Sequence, residues 1–210
     1  ADEVFFNLSH AIKFQPEIAI ICSPASTHVE ISRFLVKQGI HILIEKPISN
    51  EQKGLKELNY EAVKNNCVLT IGYNLRFLPS LNKFKKLIDE NLIGDIYSIR
   101  SEVGQYLPNW RDTDYRKTVS AQKSLGGGVL LELSHELDYL RWIFGDVESV
   151  QAQLSKQSKL EIDVEDTAHI ILKFKQKENN TNLVASLSLD FIRHDKVRSC
   201  HVIGEKASLR

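Results

Sequence analysis

Three short apolar runs, separated by two helix-patterned stretches, fill the first third of the chain and leave it few ways to fold. Residues 18–22 read Ile-Ala-Ile-Ile-Cys, residues 42–44 read Ile-Leu-Ile, and residues 67–72 read Cys-Val-Leu-Thr-Ile-Gly. Between the first two, Ile31, Phe34, Leu35 and Val36 form a helical stripe that puts Lys37 in its last turn and stops at Gly39. Between the second and third, Leu55, Leu58, Ala62 and Val63 form another. Thr27-His28-Val29-Glu30 and Ser49-Asn50-Glu51-Gln52 fit capping boxes for these two helices. Strand, helix, strand, helix, strand with short connections means right-handed crossovers and a parallel sheet. Ligands of such sheets bind outside the carboxyl ends of the strands. The second run ends in Glu45-Lys46-Pro47, so it carries an acid and a base to that edge.

The second half follows a different rule. Tyr73 to Phe77 leads to a helix opened by Pro79 and bearing Leu81, Phe84, Leu87 and Ile88, with Gly94 closing the segment. From Asp95 the period becomes two, and strand patterns recur at 147–154, 168–174, 183–192 and 197–202, with a hairpin connection at 177–182. The 18-residue stretch 105–122, which holds Tyr106, Trp110, Arg111, Tyr115 and Arg116, is long for a plain connection and reads as a functional loop covering a substrate. Gly126-Gly127-Gly128 lets another backbone or a ligand approach closely. It leads into an apolar helix over 129–144, closed by Gly145, on which Glu132, His135 and Asp138 share one face at spacings of three. Polar groups so placed need partners if buried.

The expected fold is therefore α/β followed by α+β: part of a Rossmann-type parallel sheet, then an open, mainly antiparallel sheet with helices on one face. Residues 1–73 form the first domain and 74–210 the second. The 27 basic and 27 acidic side chains balance, so charge gives no argument for nucleic acid or an anionic membrane. No apolar run has the length of a membrane span, and the N-terminus lacks a signal-peptide pattern. Cys22, Cys67 and Cys200 are odd in number and without Cys-x-x-Cys spacing. They read as reduced, buried thiols of a cytoplasmic protein, with no metal site.

A dinucleotide-binding sheet usually opens with a strand and a glycine-rich turn that holds the pyrophosphate at a helix N-terminus. No such cluster precedes Ile18. Even so, Ser23-Pro24 with His28, Glu45-Lys46-Pro47, Gly72 to Phe77, the glycine triplet and His135-Glu136-Leu137-Asp138 occur in an order that resembles the Gfo/Idh/MocA oxidoreductases. The resemblance covers nearly the whole chain. It implies an NAD- or NADP-dependent enzyme acting on sugars, inositols or related polyols, and a homodimer or homotetramer paired through the C-terminal sheet. It also implies that the chain is the middle of a family member, with the fingerprint upstream and the C-terminal sheet incomplete. One departure is Glu132, three residues before His135, where many members carry an aspartate four before.

The resemblance implies that Ser23, Pro24, His28, Glu45, Lys46 and Arg76 border the cofactor. The expected chemistry is hydride transfer from a secondary alcohol while its proton passes to a base. His135 is the candidate base, because imidazole titrates near neutrality. Lys46 stabilises charge on the same oxygen or shares its proton. Glu132 or Asp138 orients the imidazole. Trp110, Tyr115 and Arg116 are assigned to substrate from loop chemistry, since aromatic rings stack on sugars and Arg pairs phosphate. A glycosidase using retained NAD for transient oxidation, and a non-catalytic dinucleotide-binding regulator, are the alternatives.

Overall fold

A computed structural model describes residues 3–175 and 183–210; the expected hairpin connection at 177–182 lies outside the described residues. The chain divides into two compact units, Ala1–Gly72 and Tyr73–Arg210.

In the first unit a short helix, α1 (Leu8–Ala11), precedes β1 (Ile18–Ile21), α2 (His28–Val36), β2 (His41–Ile44), α3 (Leu55–Lys64) and β3 (Leu69–Ile71). The strands pair in the order β1-β2-β3, both pairs parallel, with Ile21 opposite Ile44 and Ile44 opposite Ile71. Ile21, Ile42 and Ile44 meet Leu35 and Val36 of α2 and Leu58 and Ala62 of α3 in one core. Alternate residues of a strand face opposite sides. Ile18 and Ile20, 65% and 67% exposed, accordingly lie away from that core.

Neither expected capping box forms. Thr27 ends a 3-10 turn, Ala25–Thr27, and its hydroxyl donates to the Pro24 carbonyl at 2.8 Å and pairs with Ser23 Oγ at 2.7 Å. A Thr side chain that bonds backwards in this way does not cap the helix ahead. The second helix begins after Gly54, whose left-handed backbone (φ 80°) occupies the cap position, while Ser49 Oγ accepts from the Glu51 amide.

The second unit contains α4 (Pro79–Asp89), β4 (Ile96–Gly104), α5 (Val129–Glu132), α6 (His135–Phe144), β5 (Val147–Ser155), β6 (Thr167–Phe174), β7 (Val184–Asp190), β8 (Val197–Gly204) and β9 (Ser208–Leu209). Among the described residues the strands form one sheet in the order β5-β6-β7-β4-β8-β9. The β4–β7 pair is parallel and the other neighbours are antiparallel. Its core side presents Ile99, Val103, Ile170, Leu172, Leu187 and Leu189 to Tyr139, Leu140, Ile143 and Phe144 of α6. Those α6 positions recur at three- and four-residue spacing, as one buried helix face requires. Leu140 is fully buried, and Leu140→Ala is expected to destabilise this unit by about 3 kcal/mol. A denaturant titration with unchanged slope and a lowered midpoint is the corresponding result.

The single helix expected over 129–144 is two. Leu133 (φ −100°, ψ 23°) leaves helical geometry after α5, and α6 restarts at His135. Ser134, at the break, accepts from the Tyr73 hydroxyl at 3.4 Å. Glu132 and His135 thus stand on different helices, and the argument that their spacing shares one helical face fails. Gly145 (φ 104°) does end α6.

Candidate functional site

The parallel ladder runs past the strands in the first unit. The Glu45 amide donates to the Ile21 carbonyl and the Gly72 amide to the Ile44 carbonyl. Ser23, Glu45, Lys46 and Gly72 therefore follow the carboxyl ends of three adjacent parallel strands. Glu45 is exposed and Lys46 half-buried, and the Glu45 carboxylate accepts from the Lys46 amide at 3.3 Å. A Cβ at Gly72 would stand 3.4 Å from that carboxylate, an ordinary contact with a flexible side chain. Pro24 opens the 3-10 turn after β1 and Pro47 is buried. The polar set, a hydroxyl, an accepting carboxylate and a donating ammonium, fits the hydroxyl and amide groups of a nicotinamide dinucleotide.

His28 has another setting. It is 1% exposed, and both ring nitrogens lie against backbone carbonyls: Nδ1 at 2.9 Å from Pro47 O and Nε2 at 2.8 Å from Ser23 O. It ties together the loops that carry the other candidates and is itself covered.

In the second unit His135 opens α6, half-buried, with its ring edge-on to Tyr73 at 5.6 Å. Burial raises the Tyr73 hydroxyl above its ordinary range, so Tyr73 stays a neutral donor beside the imidazole. Arg76 donates twice to Asp138, Nε at 2.8 Å and a terminal nitrogen at 2.6 Å, and its guanidinium lies 5.8 Å from the centre of the Trp142 ring. Both Asp138 oxygens are engaged there. Glu132 accepts from the buried Ser120 hydroxyl at 3.0 Å. Glu136 is fully buried and paired with Arg198 at 2.7 Å. The sequence reading assigned no role to Tyr73 or Glu136, although each lay inside a motif it singled out.

The long loop folds into short 3-10 turns at Leu107–Asn109, Tyr115–Lys117 and Val119–Ala121. Trp110 packs edge-on to buried Phe191 at 5.1 Å, and the Tyr115 hydroxyl accepts from the Glu161 amide. Arg116 gives two nitrogens to Asp114 and the third to Glu161. The three loop residues assigned to substrate thus have packing and ion-pair partners within the fold, and Arg116 is already matched to carboxylates.

All three cysteines are free thiols, but Cys22 is exposed and Cys67 and Cys200 are half-buried, against the expectation of three buried ones. Cys22 sits one residue beyond β1. Cys200 is the opposite case: burial pushes its thiol up to about 12. Since the thiolate is the reactive form, alkylation at neutral pH is expected to modify Cys22 in the folded chain and to leave Cys200 untouched until unfolding. Mass mapping of the alkylated peptides checks this.

The first unit is thus a parallel sheet with polar groups at its strand ends, and the second is a mixed sheet carrying a histidine-led helix. The sequence model of an oxidoreductase family with an NAD-binding Rossmann fold matches residues 3–73, and that of the GFO/IDH/MocA C-terminal domain matches residues 81–210. The chain belongs to the Gfo/Idh/MocA oxidoreductase family, and its first unit is the family's NAD-binding Rossmann fold. It is 35% identical over 146 residues to levoglucosan dehydrogenase of Pseudarthrobacter phenanthrenivorans, covering 67% of this chain and 36% of that protein. It is 30% identical over 165 residues to myo-inositol 2-dehydrogenase of Thermotoga maritima, covering 76% and 46%. The chain thus spans less than half the length of these relatives. The structure of the WlbA dehydrogenase from Bordetella pertussis, in complex with NADH and UDP-GlcNAcA, superimposes with a TM-score of 0.83 at 22% identity, over 97% of this chain and 58% of that one. That likeness defines the fold.

Proposed function

We propose that the protein is an NAD(P)-dependent dehydrogenase that oxidises a secondary alcohol of a sugar, anhydrosugar, inositol or related polyol, or reduces the matching ketone. The observation that carries this reading is Lys46, half-buried and one residue beyond the strand-end Glu45, in a chain that also retains His135. A protein that only bound dinucleotide would have no need of either group. The relatives named for levoglucosan and myo-inositol support the substrate class.

Ser23, Pro24, Glu45 and Lys46 hold the cofactor in this reading, and Arg76 borders it. The nicotinamide, when bound, accepts or supplies the hydride. His135 takes the hydroxyl proton as the alcohol is oxidised and returns it in the reverse direction. Lys46 donates a hydrogen bond to the same oxygen and stabilises the negative charge that develops there. Tyr73 orients the imidazole edge. Glu132 and Asp138 act at one remove, Glu132 through Ser120 and Asp138 by fixing Arg76. Trp110, Tyr115 and Arg116 shape the wall behind the substrate.

The test is nicotinamide reduction across a panel of free sugars, anhydrosugars, inositols and nucleotide-linked sugars. Substrate-dependent reduction with at least one class supports the reading, and tight cofactor binding with no oxidation of any alcohol sinks it. Self-association is part of the proposal. The outer sheet face aligns Gln151, Ile171, Ser186, Arg100 and His201 in one row, a surface suited to a second copy; light scattering that gives a monomer mass would remove it. No helix of the described residues is long and apolar enough to cross a membrane.

A further inference from the structure

The buried histidine at the start of α2 contacts two groups that can only accept. Nδ1 lies 2.9 Å from the Pro47 carbonyl oxygen and Nε2 2.8 Å from the Ser23 carbonyl oxygen. Each contact needs an N–H on the ring, and a neutral imidazole has only one. With a single proton, the remaining nitrogen would turn its lone pair toward a carbonyl oxygen at hydrogen-bond distance, at a site 1% exposed. An unsatisfied buried pair of that kind is costly.

We infer that His28 carries a proton on both ring nitrogens and straps the loop after β1 to the loop after β2. Two charge-assisted hydrogen bonds, each stronger than a neutral one, offset the burial of the cation. Burial and the positive end of α2 both oppose a cation here. The strap therefore depends on carbonyls held in place before the ring meets them. The structure supplies this at Ser23, whose loop is fixed by the Thr27 hydroxyl on Pro24 O and Ser23 Oγ. On the other side, the chain just before Pro47 is held by the ladder bond from the Glu45 amide to the Ile21 carbonyl.

The consequence is positional. Pro47 directly follows Lys46, so the strap fixes the backbone from which the lysine projects, and it fixes Ser23 on the neighbouring strand end in the same act. His28 is a positioning residue, acting on Lys46 through the main chain. Its bearing on catalysis rests on the dehydrogenase reading; the doubly protonated strap does not.

The experiment is a long-range proton–nitrogen correlation on the intact, nitrogen-15-labelled chain at neutral pH, with His28 assigned by ring-proton contacts to Pro47. Both ring nitrogens are expected at protonated shifts, each with its own slowly exchanging proton. One protonated and one bare nitrogen would overturn the proposal. As a second measurement, His28→Asn is expected to speed amide exchange across residues 44–48 by about tenfold while β6 is unchanged. Unaltered exchange at 44–48 would also overturn the strap. If the nitrogen shifts are as expected while Lys46→Ala keeps full turnover, the strap stands and the role given to Lys46 falls.

Discussion

Replacing His135 by alanine is expected to lower kcat by about 10²- to 10⁴-fold, the range over which a positioned general base contributes. Lys46→Ala is expected to lower kcat by about 10²- to 10³-fold, through lost stabilisation of charge on the reacting oxygen. Both variants should lose kcat because each interaction strengthens as the oxygen gains charge. His135→Ala should keep cofactor affinity within a few-fold of the parent protein, whereas Lys46→Ala should also weaken binding of the cofactor it helps to hold. If both single variants keep parental turnover, neither residue has the assigned role.

Gly127→Ala is expected to destabilise the second unit by about 3 kcal/mol, the upper part of the range for forcing an extra carbon into packed structure. A Cβ there would stand 2.2 Å from the Val119 carbonyl oxygen, 2.8 Å from that of Ser120 and 2.9 Å from that of Gln122. All three are backbone atoms, so no flexible side chain can give way. The same carbonyls are in use: Gly127 N donates to Gln122 O and Gly128 N to Ser120 O. Moving this loop also moves the Ser120 hydroxyl away from Glu132. Activity should therefore fall along with the denaturation midpoint. A change below about 0.5 kcal/mol, normal for an exposed site, would contradict the close backbone approach.

The glycine triplet illustrates what the sequence made legible. Its composition announced a close approach but left open whether a backbone or a ligand approaches, and the structure answers with the 119–122 carbonyls. The parallel unit was legible because strand runs and helix stripes differ in period, and because short connections leave one handedness. Helix starts were not. Thr27 satisfies its hydroxyl locally, and Gly54 caps α3 by conformation, which no side-chain signature announces. The break at Leu133 was hidden for a related reason: apolar periodicity continues across a one-turn departure from helical geometry. The β4–β7 pairing joins residues far apart in sequence, and alternation tells which face a residue takes without naming the neighbouring strand. Of the candidate site residues, those after β2 could be placed by topology alone. Arg76, Asp138 and Arg116 could not, because their carboxylate or guanidinium partners come from other elements or from turn geometry.

The most direct measurement is deuterium transfer: supply reduced nicotinamide cofactor dideuterated at C4 together with keto forms of an inositol and a sugar, and weigh the products. The dehydrogenase reading predicts one deuterium on the new carbinol carbon, with labelled product forming about 10²-fold or more slowly when His135 or Lys46 is replaced. Hydrolysis of a glycoside with no net change in cofactor, or bound cofactor that never passes its label on, would contradict it.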